Sequence, residues 1–508
     1  MSRVWSSQQN DIFSWFEDMS LPHPHGSPLY AQHLIVRARA GTGKSTTIRE
    51  GVKRAPERNI LIAAFSKDIQ LEMQRLIAPF TNGRVQTLHS VGLGCVRQYR
   101  ENLKVEFNST RADTLATAVC GRSCPDAITR LVAKLHTKGR EIAPHATDPG
   151  DLIDIAIQFD CEPDETWAKS GYPLEKVEEL ALAAMELAAD IKSGATIDGS
   201  DMIFLPVRNR WLIPQFDMGV IDEGQDMTNA QLEVGLGVVK PGGRICIVGD
   251  DRQAIFAFRG ADSGSLDRLK GELQAAELGL TTTYRCGKVI VALAQALVPD
   301  FEAGEDNPEG EILEIFPHEL TDAAGPGDFI LSRVNAPLVS IAMKLLRSGK
   351  RTRIAGKDIG KGLVVLIRKL RANSVPDFLR KVESWCGRET RRLEAQMTSA
   401  TEGRKKTIQT KIEGVIDQAE MLTSLADGAK NVDEITTRIE SLFSDDGLGA
   451  AGMITCSSIH RAKGKEADRV FVLRDTLRNY NEEEMNLQYV AITRAKQTLV
   501  FVSDKRER

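Results

Sequence analysis

The chain has 508 residues, of which 42% are hydrophobic and 27% are charged, and its formal net charge is −4. A chain of this length is expected to fold into several domains. The slightly negative charge excludes a protein that is basic throughout, so any contact with nucleic acid must come from local basic patches.

Eight cysteines in a chain of this length do not make a disulfide framework. Cys120 and Cys124 are close in sequence, but no His or Cys pair stands nearby at zinc spacing. We therefore expect reduced thiols in a cytoplasmic protein. The first residues lack the apolar run and cleavage site of a signal peptide, and no segment reaches the roughly 20 apolar residues of a membrane span.

The first predicted strand is the apolar run 33–36, and it leads into the segment ARAGTGKSTT at 38–47. A strand, a glycine-rich loop and a helix in this order are typical of a P-loop, whose backbone N–H groups bind phosphate oxygens. Lys44 is expected to reach the β and γ phosphates, and Ser45 to ligate Mg²⁺. A glycine turn with a surface lysine is the alternative. The predicted phosphate cradle comprises Ala38, Arg39, Ala40, Gly41, Thr42, Gly43, Lys44, Ser45 and Thr46.

A second strand, FDMGVI at 216–221, ends in the acidic segment DEGQD at 222–226. Asp222, at the end of a buried strand, is placed for a second Mg²⁺ contact, and the adjacent Glu223 can orient and deprotonate the attacking water. An acidic cap after a strand is the alternative, but it does not explain why Glu directly follows Asp.

The next predicted strand, 244–248, is followed by GDDRQAIFAFRGA at 249–261. Gln253 can form a hydrogen bond with a γ-phosphate or with the attacking water. Phe256 and Phe258 alternate in the loop before Arg259, and aromatic faces stack on nucleobases of any sequence. Taken alone, the two phenylalanines are better explained as core residues.

Together these segments resemble the superfamily 1 DNA helicases of the UvrD/Rep/PcrA type. Further motifs occur in the order of that family and extend the resemblance over nearly the whole chain. They are SSQQNDIF at 6–13, ILIAAFSKDIQLEM at 60–73, TLHSVG at 87–92, TTTYRC at 281–286, SSIHRAKGKEADRVFVL at 457–473 and NLQYVAITRAK at 486–496.

The resemblance implies a set of nucleotide contacts spread along the chain. Gln9 and Tyr284 would hold adenine, and Glu466 would reach the ribose. Arg285 and Arg494 would contact the γ-phosphoryl group, with Arg494 as the arginine finger. The sequence departs from the family at Thr283, where Asn is usual, and we assign that position no role. Lys465 and Ala467 also replace the usual Leu and aromatic residue beside Glu466.

The resemblance also implies contacts with a DNA strand. Small hydroxyl side chains and one lysine suit contact with the phosphate backbone more than readout of base edges. The predicted DNA-binding residues are Phe65, Ser66, Lys67, Thr87, His89, Ser90, Phe256, Phe258, Arg259, Ser458, His460 and Tyr489.

The predicted fold class is α/β, with two RecA-like P-loop NTPase domains that have parallel sheets and a mainly helical insertion each. Expected strands of the second domain are 329–337, 351–356, 453–458, 469–473 and 498–503. The first insertion is expected to bury the stripe Val177, Leu180, Ala184, Leu187 and Ile191. The predicted boundaries are 1–92 and 197–279 for the first domain, 93–196 for its insertion, 280–372 and 450–508 for the second domain, and 373–449 for its insertion.

The second insertion is short and basic. Between residues 388 and 411 it has seven basic and three acidic residues, a net charge of +4. This segment is either a contact for duplex or single-strand phosphates or a solvated helical hairpin. Because the chain ends soon after the last motif, we expect no C-terminal nuclease domain.

The resulting prediction is an ATP-dependent DNA helicase that uses ATP and Mg²⁺, translocates on single-stranded DNA from 3′ to 5′ and unwinds duplexes. Expected partners are single-stranded and forked DNA and a loading, replication or repair protein, with no membrane; we expect a monomer or a transient dimer. Three alternatives stay open: a translocase that strips proteins from single-stranded DNA, an RNA helicase and a slowly hydrolysing nucleotide-dependent switch.

Overall fold

The computed structural model describes residues 4–17, 32–65, 67–77, 83–99, 105–163, 165–191, 196–255, 264–397, 402–443 and 452–504. The chain forms two compact units. The first unit comprises the residues up to 280 except 40–42, and the second comprises 40–42 and the residues from 281 onward.

The first unit is built on a parallel sheet. Its described strands are β1 His33–Ala38, β2 Ile60–Ala64, β3 Gly83–Thr87, β4 Glu106–Phe107, β5 Thr196–Ile197, β6 Phe216–Asp222, β7 Val239–Gly249 and β8 Ala276–Leu280. Six of them pair in parallel in the order β3-β2-β6-β7-β1-β8, while β4 and β5 form a separate parallel pair in the insertion. The short apolar runs in the sequence correspond to strands that are buried on both faces of the sheet.

Helices cover both faces of this sheet and form its insertion. The described helices of the first unit are α1 Ser7–Glu17, α2 Lys44–Arg54, α3 Lys67–Ile77, α4 Leu88–Tyr99, α5 Arg111–Cys120, α6 Asp126–Ile142, α7 Ile153–Gln158, α8 Glu165–Lys169, α9 Leu174–Ala189, α10 Asp201–Arg208, α11 Asn229–Gly237 and α12 Ser265–Leu273. In β1, Leu34 and Val36 join the cluster beneath α1 and α2, while Ile35 joins the cluster on the other face. This alternation follows from the two-residue period of a strand.

The predicted stripe of the first insertion is only partly correct. Val177 and Ala184 of α9 are buried, but Leu187 is 41% exposed, and Ile191 is buried beyond the end of the helix. The buried face of α9 is instead formed by the small residues Ala181, Ala184 and Ala188 together with Met185. These residues allow close contact with α6, where a Cβ atom on Gly139 would lie 2.6 Å from the Met185 sulfur.

The second unit is built on another parallel sheet. Its described strands are β9 Thr282–Thr283, β10 Glu302–Ala303, β11 Glu311–Ile315, β12 Phe329–Ser332, β13 Thr352–Ile354, β14 Ile454–Ser458, β15 Ala467–Leu473 and β16 Ala495–Val502. Its described helices are α13 Lys288–Gln295, α14 Leu320–Ala323, α15 Ala336–Arg347, α16 Lys357–Leu370, α17 Val375–Met397, α18 Glu402–Ala426, α19 Val432–Leu442, α20 Ile459–Ala462 and α21 Glu482–Ile492. The main sheet has the order β11-β16-β15-β12-β14-β13, so the predicted α/β class with parallel sheets is confirmed.

Each predicted strand of the second domain overlaps an observed strand, but the run at 329–337 is interrupted. The strand ends at Ser332 and α15 begins at Ala336. Pro337 in the first turn of α15 explains this, because proline is compatible with the start of a helix and not with a central strand.

The second insertion is continuous with the core of its unit. Apolar residues of α17, α18 and α19 pack in the same cluster as residues of α15 and of the sheet. The carboxylate of Asp417 on α18 also accepts hydrogen bonds from the backbone N–H groups of Asn335 (3.0 Å) and Ala336 (2.6 Å) at the start of α15. The insertion is therefore anchored to the second unit by both apolar and polar contacts.

Among the described residues, no helix is both long and apolar enough to cross a membrane.

Candidate functional site

The P-loop lies between β1 and α2, as the sequence predicts. Gly41 and Gly43 have positive φ angles of 71° and 82°. This left-handed conformation is accessible to glycine without steric cost. Ala38, the first position of the cradle, is the buried last residue of β1. Left-handed glycines before the N-terminus of a helix agree with the predicted phosphate-binding loop.

Lys44 is held by an acidic cluster at the ends of the neighbouring strands. Its Nζ atom lies 2.6 Å from Oε1 of Glu223. Burial by itself lowers the pKa of Lys44, but the charges of Glu223, Asp222 and Asp250 outweigh that effect and raise it. Lys44 is therefore a fully charged ammonium group at the position expected for phosphate binding.

Asp222 is the buried last residue of β6, directly beside Glu223. Its Oδ1 accepts a hydrogen bond from the Glu223 backbone N–H at 3.0 Å. Burial, followed by the negative charge of Glu223, raises the pKa of Asp222 to about 7. Such a carboxylate in a cluster of excess negative charge is suited to a divalent cation.

The oxygen ligands predicted for such a cation are the carboxylate of Asp222 and the hydroxyl group of Ser45, which is partly exposed in the first turn of α2. The described residues contain no group of three or more His, Cys, Asp or Glu side chains that could hold a metal ion. Mg²⁺ characteristically takes one or two protein ligands and completes its shell with phosphates and waters. The pair therefore fits a Mg²⁺ ion that is bound together with a nucleotide.

Glu223 has an unusual backbone conformation for a non-glycine residue, with φ 54° and ψ 43°. Both oxygens of its carboxylate are held by neighbouring side chains. Oε1 contacts Lys44, and Oε2 accepts a hydrogen bond from Gln225 Nε2 at 2.6 Å. Residues in this conformation cluster at functional sites. The geometry agrees with a base that is oriented by its surroundings.

A second layer of polar contacts links this cluster to the residues after β7. Gln225 Oε1 accepts from the Asp250 backbone N–H at 3.1 Å, and Gln253 Nε2 donates to Asp250 Oδ2 at 2.7 Å. Arg39 Nη1 lies 3.0 Å from Asp250 Oδ1 and 2.7 Å from Asp251 Oδ1. Asp250, Asp251 and Gln225 had no predicted role, although all three stand in the segments 222–226 and 249–261 that follow the two strands.

Gln9 lies beside the P-loop helix and is buried. Its Nε2 donates to Thr47 Oγ1 at 3.1 Å, and its Oε1 accepts from the Ser6 backbone N–H at 3.1 Å. An amide group has a second N–H and further lone pairs, so these contacts orient Gln9 without exhausting its capacity to contact adenine. The adenine contact itself stays a prediction.

The second unit brings together Arg285, Glu466 and Arg494, which are far apart in sequence. Arg285 Nε lies 2.5 Å from Glu466 Oε2, and Lys496 Nζ lies 3.0 Å from Glu466 Oε1. Burial raises the pKa of Glu466, but Arg285 and Lys496 outweigh that effect and lower it. Glu466, predicted to reach a ribose, is thus an ion-pair partner in this structure. Tyr284, the predicted adenine stacker, is 47% exposed.

Arg494, the predicted arginine finger, is buried. Its guanidinium donates to the backbone oxygens of Val490 (2.9 Å) and Lys465 (3.0 Å) and to the Thr493 hydroxyl (3.1 Å). Burial, followed by the charge of Arg285, lowers the pKa of Arg494 to about 9, which leaves it charged at neutral pH. In this structure Arg494 supports the local backbone, and contact with a phosphate would require it to exchange these acceptors.

Several of the predicted DNA-binding residues of the first unit lie among the described residues. Thr87 and Ser90 share a hydrogen bond of 3.0 Å between their hydroxyl groups at the start of α4. Lys67 is exposed and donates to Gln70 Oε1 at 3.1 Å. Phe65 and His89 line one cleft of this unit. Ser66, Phe256, Phe258 and Arg259 lie outside the described residues.

In the second unit, the predicted DNA contacts are less accessible. Ser458 is mostly buried at the end of β14, and His460 is partly exposed in α20. Tyr489 is fully buried, and its ring packs edge to face against Phe301 with 5.5 Å between the centroids. The predicted DNA contact of Tyr489 is at odds with this burial, because its ring is part of the core.

Comparison with known proteins identifies the family. Residues 26–274 match the sequence model of the UvrD/REP helicase N-terminal domain, and residues 453–502 match that of the UvrD-like helicase C-terminal domain. The chain belongs to the UvrD/Rep/PcrA type of helicases. The predicted resemblance is thereby confirmed.

Two relatives illustrate the extent of the similarity. The chain is 24% identical over 516 residues to F-box DNA helicase 1 of Gallus gallus, a match that covers 92% of this chain and 47% of that protein. It is 22% identical over 331 residues to the ATP-dependent DNA helicase PcrA of Bacillus subtilis, which covers 59% of this chain and 43% of that protein. The chain spans about half the length of the curated relatives it matches.

Proposed function

We propose that this chain is an ATP-dependent DNA helicase that translocates on single-stranded DNA from 3′ to 5′ and unwinds duplex DNA. The observation that carries the proposal is the cluster of Lys44, Asp222, Glu223 and Gln253 at the carboxyl ends of parallel strands. Ligands of open parallel sheets bind at that edge. The family membership of the chain supports the same activity.

In this proposal ATP and Mg²⁺ bind at the P-loop. Lys44 would contact the phosphates, and Ser45 and Asp222 would hold Mg²⁺, which neutralises phosphate charge when it is bound. Glu223 would orient and deprotonate the attacking water, because its carboxylate is already directed toward Lys44. Gln253, one hydrogen bond from Asp250, would sense the γ-phosphoryl group.

Coupling of hydrolysis to movement is a further part of the proposal. The predicted phosphate contacts belong to both units, with Lys44 in the first and Arg285 and Arg494 in the second. We infer that hydrolysis is coupled to closure of the two units, because the predicted contacts with one γ-phosphoryl group are divided between them. The predicted domain boundaries and the monomeric or transiently dimeric, cytoplasmic state are part of the same proposal.

The experiment that tests the function is steady-state ATP hydrolysis with and without single-stranded DNA. Single-stranded RNA and the Lys44→Ala variant are the controls. Strong stimulation by DNA alone supports the proposal, and equal stimulation by RNA would favour an RNA helicase. Hydrolysis that no nucleic acid changes would contradict a DNA-driven motor.

Duplex substrates with a 3′ or a 5′ single-stranded tail then test direction and unwinding. Unwinding only from the 3′ tail is expected. Translocation that displaces a bound protein from single-stranded DNA without separating a forked duplex would identify a translocase that is not a helicase.

A further inference from the structure

Arg39 is a buried arginine at the start of the P-loop. It directly follows β1, and only 6% of its surface is exposed. An arginine keeps its charge at any physiological pH, and a buried charge is stable only when opposite charges or hydrogen bonds compensate it. The partners of this guanidinium group therefore determine what Arg39 does in the site.

Those partners come from the segment that follows β7. The Nη1 atom of Arg39 lies 3.0 Å from Oδ1 of Asp250 and 2.7 Å from Oδ1 of Asp251. Strands β1 and β7 pair in parallel with Arg37 opposite Gly249, so the residues after the two strands emerge side by side. One nitrogen of Arg39 thus bridges two carboxylates and fastens the segment after β7 to the P-loop.

Asp250 connects Arg39 to Gln253. Its Oδ1 also accepts a hydrogen bond from the Arg252 backbone N–H at 3.1 Å, and its Oδ2 accepts from Gln253 Nε2 at 2.7 Å. Both oxygens therefore act as acceptors, which is the pattern of an ionised carboxylate. Such a group cannot donate, so the nitrogen of the Gln253 amide must face it, and not the oxygen. The orientation of the Gln253 amide therefore depends on the charge of Asp250.

The charge of Asp250 depends in turn on Arg39. Asp250 is fully buried. Burial raises its pKa, and Arg39 is first among the groups that oppose this rise, followed by Lys44. Lys44 pairs with Glu223 and, in the proposed function, with a phosphate, so Arg39 is the cation that would stay with Asp250 when a nucleotide is bound. Without Arg39, a proton on Asp250 could donate to the oxygen of the Gln253 amide, and the amide could turn over.

We propose that Arg39 is a positioning residue that acts through Asp250 and holds the amide of Gln253 in the orientation that contacts the γ-phosphoryl group. The inference rests on the proposed function, in which Gln253 senses that group. Arg39 belongs to the loop that is proposed to bind the phosphates. The same short segment of backbone would therefore set the positions of both the phosphates and Gln253, and the rate of hydrolysis depends steeply on such positions.

Arg39→Met removes the charge and keeps a long unbranched side chain. The kcat of ATP hydrolysis is expected to fall by about 10- to 100-fold, as when a supporting group is lost or a catalytic group is misplaced. The KM for ATP should change by less than about threefold, because Lys44 and the loop backbone still bind the phosphates. Arg39→Lys should recover most of the lost kcat, since an ammonium group can also donate to both carboxylates.

The test is a double-mutant cycle on kcat at saturating single-stranded DNA, which combines Arg39→Met with Gln253→Ala. If Arg39 acts through Gln253, the double variant should have the kcat of Gln253→Ala alone, whereas independent effects multiply. Arg37→Met is the matched control, because Arg37 of β1 pairs with Asp251 at 3.3 Å and with Asp267 at 2.6 Å. It removes the same charge from β1 and leaves the pairing of Arg39 intact, so kcat should stay within about twofold.

Binding of a fluorescent ADP analogue shows whether the P-loop of each variant is still folded. Should Arg39→Met lose this binding, Arg39→Gln takes its place in the cycle, because it also removes the charge but keeps a polar side chain. Loss of ADP binding in both variants would overturn the inference, since Arg39 would then be required for the P-loop itself.

The cycle decides the inference in the remaining cases. An effect of Arg39→Met that disappears in the Gln253→Ala background supports it. A multiplicative loss in the double variant, an effect confined to KM, wild-type kcat in Arg39→Met, or an Arg39→Lys variant no more active than Arg39→Met would overturn it while leaving the proposed function intact. No ATP hydrolysis by the wild-type protein would overturn the proposed function and this inference with it.

Discussion

Substitution of Glu223 by Gln separates two effects of this side chain. In the structure, Oε1 of Glu223 lies 2.6 Å from Lys44 Nζ, and Oε2 accepts from Gln225 Nε2 at 2.6 Å. Gln has nearly the same shape as Glu but has neither its charge nor its basicity. The variant therefore loses the proposed general base and also releases Lys44 from its ion pair.

The two effects are expected to have opposite signs in two measurements. Loss of a general base lowers the rate of hydrolysis by roughly 10²- to 10⁴-fold. Binding is expected to improve, because Lys44 must leave Glu223 before it can contact a phosphate. A hydrogen bond between charged groups contributes about 1.5–3 kcal/mol. The side chains of Lys44 and Glu223 are 14% and 17% exposed, so we take the lower end, which corresponds to roughly tenfold tighter nucleotide binding.

The assay combines steady-state ATP hydrolysis at saturating single-stranded DNA with titration of a fluorescent ATP analogue. Glu50→Gln is the matched control, because Glu50 pairs with Arg54 at 2.9 Å on the same helix as Lys44 but outside the acidic cluster. It should change neither quantity. Near-normal turnover of Glu223→Gln would remove Glu223 as the base. Weaker binding of the analogue would contradict the argument that the ion pair competes with phosphate.

Three further predictions concern the nucleotide site and the first insertion. Lys44→Ala should abolish ATP hydrolysis and retain single-stranded DNA binding in an anisotropy titration; retained turnover would contradict the P-loop assignment. Arg140→Met should destabilise the insertion by about 3 kcal/mol. The buried Arg140 contacts Asp198 and Asp201 at 2.9 and 2.6 Å, and its loss leaves one carboxylate charge uncompensated, since Arg111 still lies 2.6 Å from Asp201. Unchanged hydrogen exchange in α6 would refute this. Burial lowers the pKa of His136 to about 4, whereas the unfolded chain binds the proton near pH 6.5, so stability should fall as the pH drops from 6.5 to 4. His136→Gln should flatten that dependence in thermal unfolding, and an unchanged acid slope would show that other groups cause it.

Local signals explain why much of the nucleotide site could be predicted from the sequence. The apolar run of β1, the glycines of the P-loop and the helix after it are adjacent in the chain, and each has a conformational preference of its own. The same holds for β6 and its terminal Asp222. The order of such segments was enough to predict an α/β fold with parallel sheets.

Contacts between distant segments could not be predicted in this way. Arg39 was assigned to the P-loop, but its side chain pairs with Asp250 and Asp251, more than 200 residues away. No periodicity or motif indicates that pairing. The exposure of Leu187 could not be predicted for a related reason. Two adjacent faces of α9 carry apolar residues, and the small side chains that face α6 decide which of the two is buried.

The ion pairs of the site suggest how the substrate itself controls the catalytic groups. In the first unit Lys44, which is proposed to bind phosphate, is paired with Glu223, which is proposed to activate water. In the second unit Arg285 is paired with Glu466, and both are predicted to contact the nucleotide. A polyphosphate competes with each carboxylate for its cation, because phosphate oxygens accept the same charge-assisted hydrogen bonds. Under the proposed roles, Glu223 would become available to a water molecule when a phosphate takes Lys44, and the substrate would thereby release the base that acts on it.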